Sequence, residues 1–297
     1  MSNNPLVSVL MTVYNREKYI EQAISSVLKS TYTNFELIIV DDRSSDTSVE
    51  IANRLALKDA RIKVYLNDKN LGDYPNRNQA AAYAKGKYLK YVDADDMIYP
   101  HGLEQLVCFM EQFPNAGYGM CTYPQDELVM FPFKLNPYEA YRKHYFELKI
   151  FNRAPLSTII KRDVFKEVGG FSGKQHLGDF EMWHILSQKF SVVLMPQGIV
   201  WYRVHEDQQM NDNRTDPQVP FKYLLYSEEA MKLEDCPLEN NEKIDILRRL
   251  KLKKARDVIS ASKHHSLRQA LELKKKGNVS YIDLVKVFTK KILGQSV

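Results

Sequence analysis

Three carboxylates follow one short apolar run and form the clearest candidate for chemistry in this sequence. The segment YLKYVDADDMIYP places Asp93, Asp95 and Asp96 directly after a run of five residues that is typical of a buried strand. Carboxylates gathered this closely repel one another, and a divalent cation relieves the repulsion. Hard oxygen ligands favour Mg²⁺ or Mn²⁺ over zinc. The cluster therefore predicts a cation site that holds phosphate, with helix capping and solvated turns as the alternative.

A second pair of acids ends another apolar run of the same kind. Asp41 and Asp42 follow the run Phe35–Val40. In open parallel sheets, ligands bind beyond the carboxyl ends of the strands, where such residues would meet. For Asp41 taken alone, an ordinary turn is the favoured interpretation.

The loop after the first apolar run contains no glycine. Its sequence is TVYNR, from Thr12 to Arg16. This excludes the glycine-rich dinucleotide fingerprint and the P-loop, and it also argues against the glycine-rich entry loop of sugar nucleotidyltransferases. A nucleotide here would be held by side chains: a threonine hydroxyl, a stacking tyrosine ring and an aspartate that accepts from a base N–H.

The elements that must position these residues alternate regularly along the chain. Segments with helical periodicity separate four apolar runs, and the predicted helices include one at Asn76–Lys85 that follows a loop at Asn67–Pro75. Ser44, Ser45 and Asp46 are expected to cap the second helix. The alternation predicts βαβ units with a parallel sheet, and therefore an α/β fold. The four runs are Leu6–Val13, Phe35–Val40, Ile62–Leu66 and Tyr88–Val92.

The overall composition is that of a soluble protein with a sizeable core. The chain has 297 residues, of which 44% are hydrophobic and 27% charged, and no apolar run approaches the ~20 residues of a membrane span. The segment MSNNPLVSVLMTV lacks the basic flank and cleavage site of a signal peptide. The three cysteines are scattered without metal-type spacing. These features predict a cytoplasmic protein.

Positive charge is concentrated at the end of the chain. From Asn241 onward there are 15 Lys and Arg against 5 Asp and Glu, whereas the remainder has 27 against 32. We predict a main domain at residues 1–220 and a basic helical extension at residues 221–297. Basic surfaces favour anionic partners. Nucleic acid is disfavoured because acids interrupt the tail and it carries no recognised reader motif.

The last predicted helix has an apolar face with lysines beside it. Two helices are expected in the tail, at Glu242–Leu273 and Tyr281–Leu293. The second could lie on an anionic membrane at its inner face, or pack on the main domain or on a second subunit; packing is the favoured interpretation. The apolar residues are Ile282, Val285, Phe288 and Ile292, and the lysines are Lys286, Lys290 and Lys291.

Six blocks in this order resemble the family-two inverting glycosyltransferases of the GT-A fold. The resemblance covers about Leu6 to Glu206. It implies a mainly parallel central sheet flanked by helices, with DADD as the DXD motif. The helical pattern beyond Phe221, outside the resemblance, predicts a C-terminal helical appendage. The blocks are VSVLMTVYNREKYIEQAISSVL, FELIIVDDRSSDTS, NLGDYPNRNQAAAYAKGKYLKYVDADD, STIIKRDVFKEVGGF, GDFEMWHIL and WYRVHE.

The resemblance assigns five residues to a nucleotide-sugar donor, with a UDP-sugar as the default. Thr12 and Tyr14 would lie against the base, and Asp42 would read its imide edge. Arg77 would reach the diphosphate or the base, and Asp93 would touch the ribose and the metal. The structural alternatives are a core aromatic ring for Tyr14 and a solvated charge for Arg77.

The resemblance also implies a metal shell for Mn²⁺ or Mg²⁺. Asp95 would coordinate the cation. Asp96 is either a second ligand or a cap for the next helix. His205, in WYRVHE, matches a position that sometimes completes the shell, although a lone histidine is more often structural.

Asp179, in LGDFEMW, aligns with the general base of the family. The acid that precedes it in the family is Gly178 here, which is a departure from the pattern. Without the resemblance, Asp179 would be a helix N-cap and Glu181 an acid of the first turn. We expect the helix N-terminus to lower the pKa of Asp179 and keep it ionised.

These residues together imply a metal-dependent inverting glycosyltransferase. It would move a sugar to a hydroxyl of a glycan or of a lipid-linked acceptor, in surface polysaccharide biosynthesis. A mobile segment would exclude water, and Phe131–Arg153 and Glu206–Pro217 are the candidates. The alternatives are a sugar nucleotidyltransferase and a nucleotide-sugar-binding subunit without catalysis.

Overall fold

Ten strands occur in the part of the chain that the computed structural model describes, residues 4–206 and 216–292. Each begins and ends within one or two residues of an apolar or alternating run of the sequence. They are β1 (Val7–Val13), β2 (Phe35–Asp41), β3 (Ile62–Leu66), β4 (Tyr88–Tyr91), β5 (Met97–Ile98), β6 (Ala116–Tyr123), β7 (Phe133–Leu135), β8 (Thr158–Lys161), β9 (Ser191–Pro196) and β10 (Val200–Trp201).

Eight of these strands form one sheet, in the order β3-β2-β1-β4-β8-β6-β9-β7. The pairs β1–β2, β2–β3, β1–β4 and β6–β9 are parallel, whereas β8 and β7 are antiparallel to their neighbours. Six strands therefore run in one direction, which confirms the predicted mainly parallel sheet. β5 and β10 form a separate antiparallel pair.

Helices cover both faces of the sheet, and four further helices lie between residues 218 and 292. All seven residues of β2 are buried, as expected for a strand covered on both faces. The helices are α1 (Ile20–Leu28), α2 (Ser48–Ala56), α3 (Asp73–Tyr83), α4 (Gly102–Glu111), α5 (Pro137–Arg142), α6 (Arg162–Glu167), α7 (Gly178–Lys189), α8 (Gln218–Lys232), α9 (Asn240–His264), α10 (Leu267–Lys276) and α11 (Tyr281–Ile292).

Two helices start at different residues from those predicted. α3 begins at Asp73 rather than Asn76, because Pro75 fits the first turn, where its missing N–H has no intrahelical partner. α2 begins at Ser48 with Thr47 at its N-cap. The capping prediction for Ser44 and Ser45 is therefore wrong, and Asp46 instead accepts from the Ser48 amide at 3.0 Å.

The aromatic segment 131–153 contributes five buried residues to the core: Ala140, Tyr141, His144, Ile150 and Phe151. It contains β7, α5 and a π-helical turn at Lys143–Glu147. The ring of His144 stacks on Phe151 with 4.3 Å between centroids, and both lie beside buried His184. These rings therefore pack in the interior, although the segment was a candidate for the mobile lid. In the other candidate lid, residues 207–215 lie outside the described residues.

The chain divides into two compact units, Met1–Arg203 and Val204–Val297. The predicted boundary after residue 220 falls inside α8 of the second unit. The predicted helix Glu242–Leu273 is two helices, since Ser266 caps α10 by accepting from the Gln269 amide. None of the helices described is long and apolar enough to cross a membrane.

Candidate active site

The carboxyl ends of three neighbouring strands meet at one edge of the sheet. β1 lies between β2 and β4, and its register pairs Val13 with Asp41 and Leu10 with Tyr91. All three strands run in the same direction. Thr12, Asp42 and Asp93 consequently lie at the ends of adjacent strands, as the strand-end argument predicted for the two aspartates.

Hydrogen bonds join the loops that follow β1 and β2. The Asn15 amide donates to Ser44 Oγ at 2.9 Å, and the Ser45 amide donates to Asn15 Oδ1 at 2.8 Å. Asn15 has a φ of 53°, in the left-handed region that asparagine tolerates. Its neighbour Tyr14 is 51% exposed. The alternative of a core aromatic at Tyr14 is therefore wrong, and its ring is accessible to a ligand.

Asp42 is buried and fastens the loop that leads into α3. Its Oδ1 accepts from the Asn67 side chain at 2.8 Å and from the Leu71 amide at 2.8 Å, and its Oδ2 accepts from the Gly72 amide at 2.9 Å. An ionised carboxylate has about four acceptor positions. Three of them are used within the described residues, which leaves about one acceptor position.

Arg77 links α3 to the acid cluster. Its two terminal nitrogens donate to Asp93 at 2.6 and 3.1 Å, and its Nε donates to Asp73 at 2.8 Å. The guanidinium is buried, so the alternative of a solvated charge is wrong. Burial by itself would lower the pKa of Arg77, but the carboxylates of Asp73 and Asp93 outweigh burial and raise it.

The acid cluster itself is a tight turn, and its carboxylates differ in burial and in their hydrogen-bond partners. The Asp96 amide donates to the Asp93 carbonyl at 3.0 Å. Asp95 accepts from Arg16 Nε at 3.0 Å. Asp96 is buried and accepts from the backbone amide of Arg203 at 2.9 Å. Burial first, and then the charges of Asp93 and Asp95, raise the pKa of Asp96 to about 8.

The capping alternative for Asp96 is wrong. α4 begins at Gly102 with His101 at its N-cap, whereas Asp96 holds the segment after β10 through the Arg203 amide. The side chain of Arg203 also donates to the Asp95 carbonyl at 2.8 Å. Asp96 therefore remains either a cation ligand or an anchor for this segment.

The chemistry of the donor set fits a hard divalent cation. Among the described residues, no group of three or more His, Cys, Asp and Glu side chains is arranged to hold a metal, since arginines engage Asp93 and Asp95. Burial is the main cause of the raised pKa of Asp96, and the neighbouring charges of Asp93 and Asp95, which a cation would offset, add to it. His205 belongs to the second unit, and its role as a ligand stays a prediction.

Asp179 lies in the first turn of α7, beside α3. Its Oδ1 accepts from the Phe180 amide at 2.7 Å and from the Tyr74 hydroxyl at 3.4 Å. The expected lowering of its pKa is wrong. Burial raises the pKa of Asp179 to about 6 and outweighs the Phe180 amide and the Arg77 charge, which act to lower it.

Several residues of the site have no signal in the single sequence. Arg16, Tyr74 and Arg203 lie in blocks that match the family, but neither their type nor their spacing indicates a contact. Lys90 is similar: it is buried in β4, donates to the Leu156 and Thr158 carbonyls, and has its pKa lowered to about 8 by burial. These contacts are long-range, and only the fold brings the partners together.

Comparisons with known proteins agree with the fold. The model of the family described as glycosyl transferase family 2 matches residues 8–169, which is more than half of the chain. An uncharacterised glycosyltransferase of Haemophilus influenzae is 40% identical over 132 residues, covering 43% of this chain and 53% of the relative. The chain thus matches about half the length of that relative.

Two further relatives have more specific names. The glycosyltransferase GlyG of Streptococcus pneumoniae is 25% identical over 283 residues, covering 91% of this chain and 93% of GlyG. A protein of Escherichia coli K12 is named as a colanic acid biosynthesis glycosyl transferase, WcaA. It is 40% identical over 118 residues, covering 40% of this chain and 42% of WcaA.

Solved structures show the same fold. The crystal structure of S. aureus TarS 1-349 in complex with UDP-GlcNAc has a TM-score of 0.72 at 19% identity, covering 91% of this chain and 80% of that chain. The mannosyltransferase PcManGT from Pyrobaculum calidifontis, in complex with GDP-Man and Mn²⁺, has a TM-score of 0.66 at 15% identity, with coverages of 99% and 89%. The fold is that of the GT-A glycosyltransferases, and the chain belongs to glycosyl transferase family 2.

Proposed function

We propose that this glycosyltransferase is metal-dependent and inverting. It transfers a sugar from a nucleotide-sugar, with UDP-sugars as the first candidates, to a hydroxyl of a glycan or lipid-linked acceptor. The pathway is surface polysaccharide biosynthesis, which is supported by the colanic acid biosynthesis name of WcaA. Structures of the same fold hold UDP-GlcNAc or GDP-Man with Mn²⁺, which supports a nucleotide-sugar donor and a divalent cation.

One chain of contacts carries this proposal, because it joins the acid cluster to the candidate base. Asp93 pairs with Arg77 on α3, Arg77 pairs with Asp73, and the next residue, Tyr74, donates to Asp179. A donor bound at the acid cluster and an acceptor activated by Asp179 would share one site. This arrangement is what direct transfer between the two substrates needs.

In the proposed donor site, side chains take the place of a glycine-rich loop. Thr12 and the exposed ring of Tyr14 contact the base, and Asp42 uses its remaining acceptor position on the imide edge. Asp93, Asp95 and Asp96 are the proposed ligands of the cation, and His205 stays a prediction of the sequence resemblance. When bound, Mn²⁺ or Mg²⁺ would neutralise charge on the leaving diphosphate. Arg77 and Arg16, now paired with Asp93 and Asp95, supply further positive charge beside that diphosphate.

Asp179 acts as the single general base. With a pKa of about 6, most of its carboxylate is ionised at neutral pH and can accept a proton from the acceptor hydroxyl. The acceptor oxygen attacks the anomeric carbon from the face opposite the leaving diphosphate, which inverts the configuration. A second carboxylate acting as nucleophile, as in retaining glycoside hydrolases, is not needed.

Release of nucleoside diphosphate tests this function. The purified protein is incubated with a panel of UDP- and GDP-sugars, Mn²⁺ and an acceptor extract, and Asp179→Asn is compared with Asp163→Asn, whose side chain is exposed on α6. We expect Asp179→Asn to lower kcat by 10²- to 10⁴-fold, a range typical of losing a general base. Equal release of nucleoside diphosphate by both variants would refute the assignment of Asp179 as the general base. Donor binding without release by wild type would indicate a non-catalytic subunit instead.

The proposed location is the cytoplasm, at the inner face of the membrane. There the C-terminal helices would contact either the membrane or a second copy of the chain. A lipid-linked acceptor would be within reach of an enzyme held at that surface.

A further inference from the structure

The last helix of the described chain exposes a row of large apolar side chains. The helix-11 strip is defined here as Tyr281, Ile282, Val285 and Phe288 of α11. Their exposed fractions range from 49% to 74%. Three of the four were predicted to form the apolar face of this helix, and packing on the protein was the favoured interpretation.

α11 packs on its own unit through a different face. Val287 is buried in a cluster with residues of α8, α9 and α10, and Leu284 packs against the same cluster. Buried Asp283 accepts from the Ser280 amide and hydroxyl at the start of the helix. The helix is therefore anchored without the helix-11 strip, which the second unit itself leaves uncovered.

Lysines from three helices border the strip. Lys263 of α9 places its Nζ 5.9 Å from the ring centre of Phe288, and Lys274 of α10 places its Nζ 4.1 Å from the ring centre of Tyr281. Lys286 is exposed on α11 itself. A strip of apolar side chains with a basic border is the pattern of a helix that lies in the interface of an anionic membrane.

We propose that the helix-11 strip inserts into the headgroup region of an anionic phospholipid surface, with the three lysines facing lipid phosphates. The charge of this surface favours lipid over a second copy. Two copies that met through the strip would bring Lys263, Lys274 and Lys286 of both chains together, whereas anionic headgroups attract all three. This binding does not depend on the reaction.

Vesicle sedimentation of the full-length chain tests the proposal. Vesicles of phosphatidylcholine containing one third phosphatidylglycerol are compared with pure phosphatidylcholine. We expect strong binding only to the anionic vesicles. Each lysine should raise the partition coefficient by roughly fivefold, so Lys274→Glu with Lys286→Glu should lower it by about twentyfold or more. Ile282→Ser with Phe288→Ser should weaken it by roughly tenfold.

Ile244→Ser is the matched control, because Ile244 is an equally exposed apolar residue, 67%, near the start of α9. It should bind like wild type. The apolar side chains that are replaced are exposed, so the serine variants should keep the wild-type Tm. No binding to anionic vesicles, or equal loss in Ile244→Ser, would overturn the proposal. So would a dimer in light scattering that Ile282→Ser with Phe288→Ser converts to monomer.

A separate observation concerns the glycine that departs from the family pattern. A Cβ on Gly178 would lie 2.8 Å from ring atoms of Tyr74. The Tyr74 ring thus lies over the start of α7, packed 5.3 Å from the centroid of Phe171. This position brings its hydroxyl to Asp179, 3.4 Å from Oδ1.

We infer that Tyr74 is a positioning residue for Asp179, and that the absence of a side chain at Gly178 leaves room for the Tyr74 ring. This inference rests on the proposed function. The other groups around Asp179 are the charges of Arg77 and Asp73 on α3 and the amide of Phe180 on α7. The Tyr74 phenol differs from these groups because its side chain can move with the carboxylate of Asp179 while its hydroxyl stays hydrogen-bonded to one carboxylate oxygen.

The pH profile of kcat/KM separates positioning from a merely structural role. Tyr74→Phe keeps the ring and removes the hydrogen bond that favours the ionised carboxylate, so the acid limb should move to higher pH. Gly178→Ala should produce the same shift by displacing the ring. In a Tyr74→Ala background, where the ring is absent, Gly178→Ala should change kcat/KM by less than about twofold.

An unchanged acid limb in Tyr74→Phe would overturn the positioning role, even if KM rises. The pH dependence of Tm, compared between wild type and Tyr74→Phe, should show the same shift without turnover. An Asp179→Asn variant as active as wild type would instead defeat the proposed function, whatever Tyr74 does.

Discussion

At the scale of single residues, location sets the charge of the acidic side chains more than their type does. Asp179 has its pKa raised mainly by burial, although it sits at a helix N-terminus that favours the ionised form. The pKa of Asp96 is raised further, because the charges of two neighbouring carboxylates add to the effect of burial. Asp126, half-buried and hydrogen-bonded to Lys143, has its pKa lowered to about 2. One residue type thus spans very different affinities for a proton.

The pKa of Asp179 predicts an acid limb in the activity profile. A general base must be ionised, so kcat/KM should be constant above about pH 7 and fall tenfold per pH unit well below pH 6. Initial rates measured from pH 4.5 to 8.5 check this. A limb centred near pH 4, the ordinary value for aspartate, would contradict the effect of burial.

The buried guanidinium of Arg77 should contribute strongly to stability. Arg77→Gln leaves the carboxylates of Asp73 and Asp93 without their partner, so we expect the free energy of unfolding to fall by about 2–4 kcal/mol. Urea denaturation measures the change. Arg54→Gln is the control, because its ion pair with Glu21 on the surface should contribute less than about 1 kcal/mol. Similar losses in both variants would refute the role of burial.

At the scale of elements, α3 organises the site. Its first turn carries Asp73 and Tyr74, and one turn later it presents Arg77 to Asp93. The Asp42 carboxylate at the end of β2 holds the loop before this helix. The loop held by Asp42 after β2 therefore fixes the start of α3, and α3 connects Asp93 after β4 to Asp179 of α7.

The turn from α3 into β4 should not tolerate a side chain. A Cβ on Gly86 would lie 2.6 Å from both the Leu6 carbonyl oxygen and the Ser8 nitrogen, which are backbone atoms of the neighbouring chain segment. We expect Gly86→Ala to lower the free energy of unfolding by at least about 2 kcal/mol, because the backbone must shift. Chemical denaturation measures it.

Gly198→Ala is the matched control for this turn. Gly198 has a φ of 86°, and a Cβ there would have no atom of the described residues within 4 Å. Its substitution should cost only the backbone strain, about 1 kcal/mol. Equal costs in the two variants would mean that conformation, rather than contact, determines the requirement for glycine at residue 86.

At the scale of the whole molecule, ligand binding at the sheet edge should stabilise the folded chain. A ligand present at 100 times its Kd that binds only the folded state adds about 2.7 kcal/mol, equivalent to roughly 5–10 °C in Tm. We expect a UDP-sugar to do this with Mn²⁺ and much less with EDTA. In Asp95→Asn the Mn²⁺ dependence should be lost. Equal stabilisation with and without metal would contradict the cation site.

The sequence by itself determined the α/β class, the parallel strands and the edge of the sheet that carries the site. The reason is local: apolar runs with helical segments between them force βαβ units, and acids directly after a strand can only lie at its carboxyl end. The ordered blocks added the family, which the comparison over residues 8–169 confirms. Helix starts such as that of α3 were less predictable, because a proline in a first turn resembles a loop.

Only the tertiary structure decided which partner each charged side chain has. Arg77 meets Asp93, Arg16 meets Asp95 and Tyr74 meets Asp179 across long separations in the chain. The same packing raises the pKa of Asp179, where helix position alone predicted a lower one, and it leaves the helix-11 strip uncovered. Burial and long-range pairing depend on every element at once, and a periodicity read along one segment contains no information about them.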